Sequence, residues 1–371
     1  MSGLATALWK LRRALVPSSP GGTRHVLFCK TDHFEPVAAR RSTPARERAR
    51  MRTWLTEYPR MAARHWDSDG VAPQHTWFYP AEAYRAEYLD QLNLLVAQAL
   101  GEIELHLHHG HDTSASLRAK LEEGVRRFNE HGALVTTETP ARRTYAFIHG
   151  NMALDNGLGD PALCGVDDEL TVLQETGCYA DFSLPTAPEP SQPKKTNAIY
   201  YAIDDPRRPK SYDWGEDAEV GRKDQDGLLM VAGPLTTNWR ERKLGLVPRL
   251  DIAEITGRWP GTPERIDRWV RAGLHVKGRP EWIVVKVSCH GAEERSFDPL
   301  LGAAADRMHA WLEARYRDRP GWRLHYVTAR QLYNIVKAAE AGCEGDPDEY
   351  RDYIIPPYLN QVRAGGARHG A

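Results

Sequence analysis

Short apolar runs alternate with amphipathic segments along nearly the whole 371-residue chain, and this alternation is the strongest constraint on its fold. It predicts strands at residues 25–30, 74–79, 103–108, 145–148, 179–184, 198–202, 228–232, 282–287 and 322–327. Helices are predicted at residues 46–65, 81–100, 114–131, 167–176, 263–272, 299–316 and 329–341. Such alternation is typical of an α/β fold, with a parallel sheet and helices outside it.

Titratable and polar side chains follow the ends of several predicted strands. In a parallel barrel the carboxyl ends of all strands meet at one face, where active sites are built. Simple strand caps would not require so many histidines at the same end, so we expect these residues to converge. They are Asp32, His33, His106, His108, His109, His111, His149, Asn151, Asp181 and His290.

The densest group lies in the segment E-I-E-L-H-L-H-H-G-H-D-T, residues 102–113. In the strand at its start, apolar positions alternate with Glu104, His106 and His108, and a period of two places these three on one face. Neutral imidazoles on a rigid strand end suit a divalent metal ion, and a nearby carboxylate suits orientation or proton transfer. We therefore expect a metal site here.

Charge and cysteine usage narrow the class of protein. Basic and acidic residues nearly balance, 49 against 50. Proteins that bind nucleic acids normally carry a basic excess, so we expect no such partner. The five cysteines are scattered and form no C-x-x-C pair, which argues against a disulfide scaffold or zinc knuckle and favours a reducing, cytoplasmic compartment.

The chain is expected to have three parts: an N-terminal arm at 1–24, a single catalytic domain at 25–343 with a long excursion at 186–227, and a polar tail at 344–371. No apolar stretch approaches the length of a membrane span. Residues 1–17 fit a short amphipathic helix, for which weak contact with the inner face of an anionic membrane is one alternative. Packing on the protein, or fraying, is the other.

The ordered set of motifs resembles the polysaccharide deacetylase (NodB-homology) superfamily, over about residues 26–332. The chain has K-T-D-H-F-E-P with Asp32 at the first motif, E-I-E-L-H-L-H-H with His106 at the second, and F-I-H-G-N at the third. G-C-Y-A-D-F and V-S-C-H-G, with His290, follow in the order of the remaining motifs. The string Y-A-F-I-H-G-N is similar to a divergent branch associated with exopolysaccharide gene clusters.

This resemblance implies an irregular (β/α) barrel of about seven strands. It also implies a metal-dependent deacetylase that removes N-acetyl groups from an amino-sugar glycan. One divalent ion is expected, zinc first, with nickel, cobalt or manganese as alternatives. Candidate ligands are Asp32, His33, His106, His108 and His109. The chain departs from the family pattern because His33 stands where a second acid is usual and Gly110 where the second histidine is usual.

The catalytic roles remain open at the level of sequence. If Asp32 is a ligand, the general base is Glu35 or Asp181; if His33 binds the metal, Asp32 is free to be the base. His290 is the expected general acid, since an imidazolium can protonate a departing amine near neutral pH. His149 and Asn151 are candidates for substrate binding, although Asn151 equally suits a turn. The aromatic rings of Trp77 and Tyr79 could stack on sugars, although buried aromatics are commoner.

Three other functions fit the same pattern. A glycoside hydrolase would use barrel-end carboxylates, but normally two of them flanking the bond and no metal ion. A catalytically silent glycan-binding subunit of a polysaccharide-synthesising complex would retain ligands without a usable base. A metal phosphoesterase is the third, although the chain has no Gly-rich phosphate cradle.

Overall fold

The computed structural model describes residues 22–37, 42–135, 144–223, 225–244 and 246–360. Residues 1–17, for which the sequence suggests membrane contact, lie outside this part of the chain, and so do residues 361–371 of the expected tail. Within the described residues, no helix is both long enough and apolar enough to cross a bilayer.

Thirteen strands and eight α-helices follow one another in the described residues. The strands are β1 (Arg24–His33), β2 (His75–Pro80), β3 (Gly101–Leu107), β4 (Tyr145–His149), β5 (Cys178–Asp181), β6 (Ala198–Ala202), β7 (Glu216–Asp217), β8 (Leu228–Ala232), β9 (Thr236–Lys243), β10 (Val247–Asp251), β11 (Glu254–Ile255), β12 (Trp282–Cys289) and β13 (Trp322–Val327). The helices are α1 (Pro44–Ala62), α2 (Ala86–Val96), α3 (Ser114–Glu130), α4 (Glu169–Glu175), α5 (Pro263–Ala272), α6 (Phe297–Leu301), α7 (Ala303–Leu312) and α8 (Ala329–Glu340).

The main sheet is curled into a half-barrel and is mostly parallel. Its path runs β11-β12-β1-β2-β3-β4-β5-β8-β6-β7, and β13 pairs with β1 off this path. The prediction of an α/β fold with a largely parallel sheet is therefore confirmed. A barrel of about seven strands is not confirmed, because the described path ends at β11 and β7 without closing, and β6 and β7 add antiparallel pairs.

Strand β1 lies at the centre of the sheet. Along one edge it pairs with β12 from His25 to Asp32. Along the other edge it pairs first with β13, from Arg24 to Cys29, and then with β2, from Thr31 to His33. The carboxyl end of β1 is therefore held between β12 and β2, so the residues that follow these three strands must lie close together.

The two faces of the sheet carry different cores. On the outer face, alternate strand residues such as Val26, Ile103 and Leu105 pack against α1, α2 and α3 in the larger apolar core. On the inner face, residues such as Leu27 and Ile148 pack against α8 in a second core. Each residue's position in its strand thus decides which core it joins.

Helix α8 is enclosed to an unusual degree. All its residues except Gln331 are buried, so its polar side chains need partners inside the protein. The guanidinium of Arg330 donates to the Glu102 carboxylate of β3 from Nη2 at 2.7 Å and from Nε at 2.9 Å. Thr328 Oγ1 donates to the other oxygen of Glu102 at 2.7 Å. These bonds fix α8 against the inner face.

Segments that the sequence treats as peripheral contribute to this body. The excursion at 186–227 supplies β6 and β7 to the main sheet. In the expected tail, Ile355 and Tyr358 are buried in the second core, and the Tyr358 hydroxyl donates to Glu104. A separate antiparallel ribbon, β9 with β10, has no counterpart in the predicted strands.

Replacing Arg330 by methionine should lower the free energy of unfolding by about 3–5 kcal/mol, because the Glu102 carboxylate then stays buried without its guanidinium. Urea denaturation measures this. Adding Glu102→Leu should recover part of the loss, since the buried charge is also removed. Arg126→Met is the matched control: that arginine pairs with Glu123 on the surface, and its loss should cost less than about 1 kcal/mol. A loss for Arg330→Met no larger than the control's would contradict this account.

Candidate metal centre

Four histidines and one glutamate meet where β1, β3 and β12 end. They are His33, Glu35, His106, His108 and His290, and we name them the catalytic cluster because they are candidates for catalysis or metal binding. The His33 ring contacts the His106 ring at a centroid distance of 4.9 Å and stacks on the His290 ring at 4.7 Å. The His106 and His108 rings are 4.7 Å apart. Most of the histidines that were predicted to converge at strand ends therefore lie together in the structure.

Glu35 stands at the centre of this cluster. Its Oε1 lies 3.1 Å from His106 Nε2 and 3.6 Å from His108 Nε2. Ligand atoms of Glu35, His106 and His108 lie within 4.8 Å of one another, and so do those of His33, Glu35 and His290. Two ligands held at about 2.1 Å by a tetrahedral zinc ion are about 3.4 Å apart, so these spacings suit a divalent ion.

Outer partners fix the orientation of the imidazoles. His106 Nδ1 donates to the Ile148 carbonyl at 2.8 Å, and His108 Nδ1 donates to the Glu82 carboxylate at 2.7 Å. A ring that is neutral and donates from Nδ1 presents a lone pair at Nε2, and the Nε2 atoms of both rings face the same oxygen of Glu35. Nitrogen lone pairs and a carboxylate oxygen repel one another unless a cation or a proton lies between them. One divalent ion can bind both rings at once.

His290 lies at the other side of the cluster and also faces a carboxylate. His290 Nδ1 lies 3.6 Å from Glu254 Oε1, which is ion-pair range but beyond a hydrogen bond. His33 Nδ1 is buried and has no hydrogen-bond partner in the part of the chain that the structure describes.

The charges of the cluster are tuned by burial and by one another. Burial opposes ionisation of Glu35, but His106 at 3.1 Å and the nearby His108 and His290 hold its pKa below the ordinary value. Burial, followed by the neighbouring imidazoles, holds the pKa of His33 well below its usual range, so this ring is neutral near pH 7. Burial lowers the pKa of His290, but Glu254 and Glu35 outweigh it and raise the pKa overall.

The cluster is partly accessible to solvent. The side chain of His106 is fully buried, whereas those of Glu35, His290 and His108 are 18%, 26% and 28% exposed. A ligand approaching from solvent therefore meets Glu35, His108 and His290 first, with His106 behind them.

Asp32 lies on the opposite face of β1 from His33. Its carboxylate is fully buried, 2.8 Å from His75 Nε2, and accepts the Gly291 amide hydrogen at 2.6 Å. Trp54 Nε1 donates to the Gly291 carbonyl at 2.8 Å. In this arrangement Asp32 anchors the backbone next to His290 and is not part of the catalytic cluster.

Three other candidates also lie outside the catalytic cluster. Asp181 is buried and accepts from the amide and the hydroxyl of Ser183, at 2.9 and 2.7 Å. The Asn151 side-chain amide donates to the carbonyls of His109 and Leu163, which makes it a loop-fixing residue. His111 is exposed and has a positive φ of 53°.

The predicted sugar-stacking aromatics lie in the protein interior. Trp77 and Tyr79 are both fully buried in the outer core. The Trp77 ring contacts Trp54 and Tyr58, and the Tyr79 ring contacts Phe128. They have a packing role in this structure because both point from β2 toward the helices.

His109 and His149 join a second group on the outer side of the sheet. His109 Nε2 lies 3.2 Å from Glu169 Oε1, and His149 Nε2 lies 3.8 Å from Glu169 Oε2. The backbone turns after β3, so His108 and His109 serve different clusters although they are neighbours in sequence.

Sequence reasoning missed the partners of the candidate residues. Glu82 forms a hydrogen bond with His108, Glu254 lies within ion-pair range of His290, His75 contacts Asp32, and Glu169 faces His109. Glu82 follows the end of β2, so the strand-end rule used for the histidines could have found it. The others depend on register and on loop packing, for which a single sequence carries no direct signal.

Searches against protein-family models, curated proteins and solved structures return no match for this chain.

Metal binding should depend on His106. The His106→Ala variant should bind about one equivalent of zinc less than the wild type, because Nε2 of this buried ring has no substitute. Metal content measured by inductively coupled plasma mass spectrometry tests this. His131→Ala, which removes a histidine paired with Asp90 away from the cluster, should leave the content unchanged. Equal metal content in all three proteins would contradict the assignment.

A glycine beside the cluster offers a finer test. A Cβ on Gly150 would lie 2.3 Å from the His108 ring, so Gly150→Ala must displace that ring. We expect zinc affinity to fall by about 10–100-fold, the usual effect of disturbing a ligand's orientation. Gly22→Ala, whose Cβ would lie within 4 Å of none of the described atoms, should bind normally. Competition with a chromophoric chelator measures both affinities; unchanged affinity in Gly150→Ala would count against His108 as a ligand.

Proposed function

We propose that the protein is a metal-dependent hydrolase that removes N-acetyl groups from an amino-sugar glycan. The observation that carries the proposal is the convergence of the Nε2 atoms of His106 and His108 on Glu35, with the His33 ring beside them. We assign His33, His106 and His108 as the ligands of one divalent ion. Imidazole nitrogens suit zinc, nickel and cobalt, and zinc is our first choice.

Glu35 is the general base in this proposal. A bound divalent ion lowers the pKa of water and polarises a carbonyl oxygen. Glu35 is ionised and partly exposed, and it lies within reach of the ligand nitrogens. Its carboxylate can therefore accept a proton from the water that adds to the amide carbon. Asp181, the other candidate base, is held by Ser183 and is the weaker choice.

His290 is the general acid. It stacks on His33, and Glu254 and Glu35 raise its pKa, so it can hold a proton near neutral pH. As the C–N bond breaks, the imidazolium gives its proton to the leaving amine, and acetate and the free amino sugar are the products. Asp32 acts indirectly, because it fixes the Gly291 amide and hence the position of His290.

The motif resemblance supports the substrate class. The motifs around Glu35, His106 and His290 are those that resemble the polysaccharide deacetylase superfamily, and in our proposal the half-barrel is the irregular barrel of that family. A glycoside hydrolase is less favoured, since Glu82 and Glu254 each face a histidine and leave Glu35 as the central carboxylate. A silent binding subunit is also less favoured, because Glu35 can serve as the base.

Acetate release from an N-acetylated amino-sugar oligosaccharide tests the proposal. Glu35→Gln should lower kcat by roughly 10²–10⁴-fold while the metal stays bound, because the ligands remain and the base is lost. His131→Gln should retain full activity. Loss of the metal in Glu35→Gln would make Glu35 a ligand and not the base, and no acetate from the metal-loaded wild type would contradict deacetylation.

The role of His290 has its own test. His290→Asn should lose most of its activity on the amide but much less on an aryl acetate ester, because an aryloxide leaves without a proton. Steady-state kinetics on both substrates measures the difference. Equal losses on amide and ester would contradict general-acid catalysis by His290.

A further inference from the structure

A second set of metal-binding side chains lies behind the catalytic cluster; we name it the Glu169 cluster, after its central residue. Its members are His109, His149, Cys164 and Glu169. They come from the loop after β3, the end of β4, the following loop and the first residue of α4. All four are buried, and the side chains of His109, His149 and Glu169 are 0% exposed.

The distances within the cluster match a four-coordinate ion. Glu169 Oε1 lies 3.2 Å from His109 Nε2, and Glu169 Oε2 lies 3.3 Å from Cys164 Sγ and 3.8 Å from His149 Nε2. One ligand atom from each of the four residues lies within 4.8 Å of all the others. Ligands around a tetrahedral zinc ion are separated by about 3.4–3.6 Å, so only small shifts are needed.

The surroundings support ligation by His109 and Glu169. His109 Nδ1 lies 3.2 Å from Asp112 Oδ2, which is within ion-pair range although no hydrogen bond forms between them, and its Nε2 faces Glu169. Glu169 Oε2 accepts the Asp155 amide hydrogen at 2.6 Å, which holds the carboxylate in place.

His149 gives the second, independent indication of a ligand. Its Nε2 is buried, aimed into the cluster and without a hydrogen-bond partner among the described residues. The Asn151 amide lies 3.1 Å from its Nδ1, so without a metal ion the proton belongs on Nε2, from which Glu169 Oε2 at 3.8 Å is beyond hydrogen-bond range. When Nε2 coordinates a metal ion, the proton moves to Nδ1 and the hydrogen bond from the Asn151 amide is lost. This loss is small compared with the free energy gained from the metal–nitrogen bond.

We propose that His109, His149, Cys164 and Glu169 bind a structural zinc ion. Four protein ligands leave no open position, which distinguishes a structural site from a catalytic one. A thiolate and a carboxylate balance the double charge of the ion, so the buried site is neutral when filled. The ion ties the loop at 150–168 to the ends of β3 and β4, next to His108. The proposal does not rest on the deacetylase function.

Cobalt substitution separates the two sites, because only the Glu169 cluster contains a cysteine. The full-length protein with bound cobalt should show a thiolate-to-metal charge-transfer band in the near ultraviolet. Cys164→Ser should abolish the band. Cys178→Ser, which alters another buried cysteine, should keep it, and so should His106→Ala, which alters the catalytic cluster. Absence of the band in the wild type, or its survival in Cys164→Ser, would overturn the proposal.

A measurement on the His106→Ala protein covers the case in which Cys164→Ser does not fold. X-ray absorption at the zinc edge should give one sulfur neighbour at about 2.3 Å and three nitrogen or oxygen neighbours at about 2.0–2.1 Å. A shell with no sulfur, or no zinc in this variant after zinc is supplied, would overturn the Glu169 site. Neither result would alter the test of deacetylation.

Discussion

The alignment of β1 with its two neighbours is the constraint on which the rest of the site depends. At its carboxyl end, Asp32 is aligned with Cys289 of β12 on one side and with Trp77 of β2 on the other. The parallel ladder then continues through β2 to β3, where Pro80 is aligned with His106. These registers bring His33, His106 and His290 together from positions far apart in the chain.

Carboxylates in and around this centre have distinct roles. Glu82 and Glu254, which are partly exposed, face histidine rings from outside the catalytic cluster, and Glu35 lies inside it. The buried Asp32 holds the chain that carries His290, and the buried Glu102 fixes α8 on the inner face of the sheet. A buried carboxylate is costly unless it is paired, so Asp32 and Glu102 also restrain their partners.

Much of this arrangement could be predicted from the sequence. Each of the nine predicted strands has a counterpart whose boundaries agree within three residues, and the alternation in β3 correctly separates His106 from Ile103 and Leu105. Strands β7, β9, β10 and β11 were not predicted. The face of β1 on which Asp32 lies could not be predicted. The run at 25–30 is apolar on both faces, as in a strand buried on both sides, so it does not reveal which face Asp32 shares. In the structure Asp32 follows Val26 and Phe28 on the outer face, and His33 follows Leu27 on the inner face.

The half-barrel and the Glu169 cluster could not be predicted, for related reasons. Sheet closure depends on whether the first and last strands meet, which is a long-range property absent from local periodicity. The Glu169 cluster joins a loop cysteine with a helix-start glutamate, and neither residue stands out among scattered cysteines and abundant acids. His149 belongs there because, like Tyr145 and Phe147, it faces the outer side of β4.

The most direct test of the account is anomalous diffraction at the zinc edge from crystals of the full chain grown with zinc. We predict a peak bounded by the Nε2 atoms of His106 and His108, with the His33 ring as the third neighbour and Glu35 beside it. A strong peak at that point would establish the metal centre on which the proposed chemistry rests. A well-ordered catalytic cluster without a peak would contradict the central claim, whether or not zinc is seen elsewhere in the molecule.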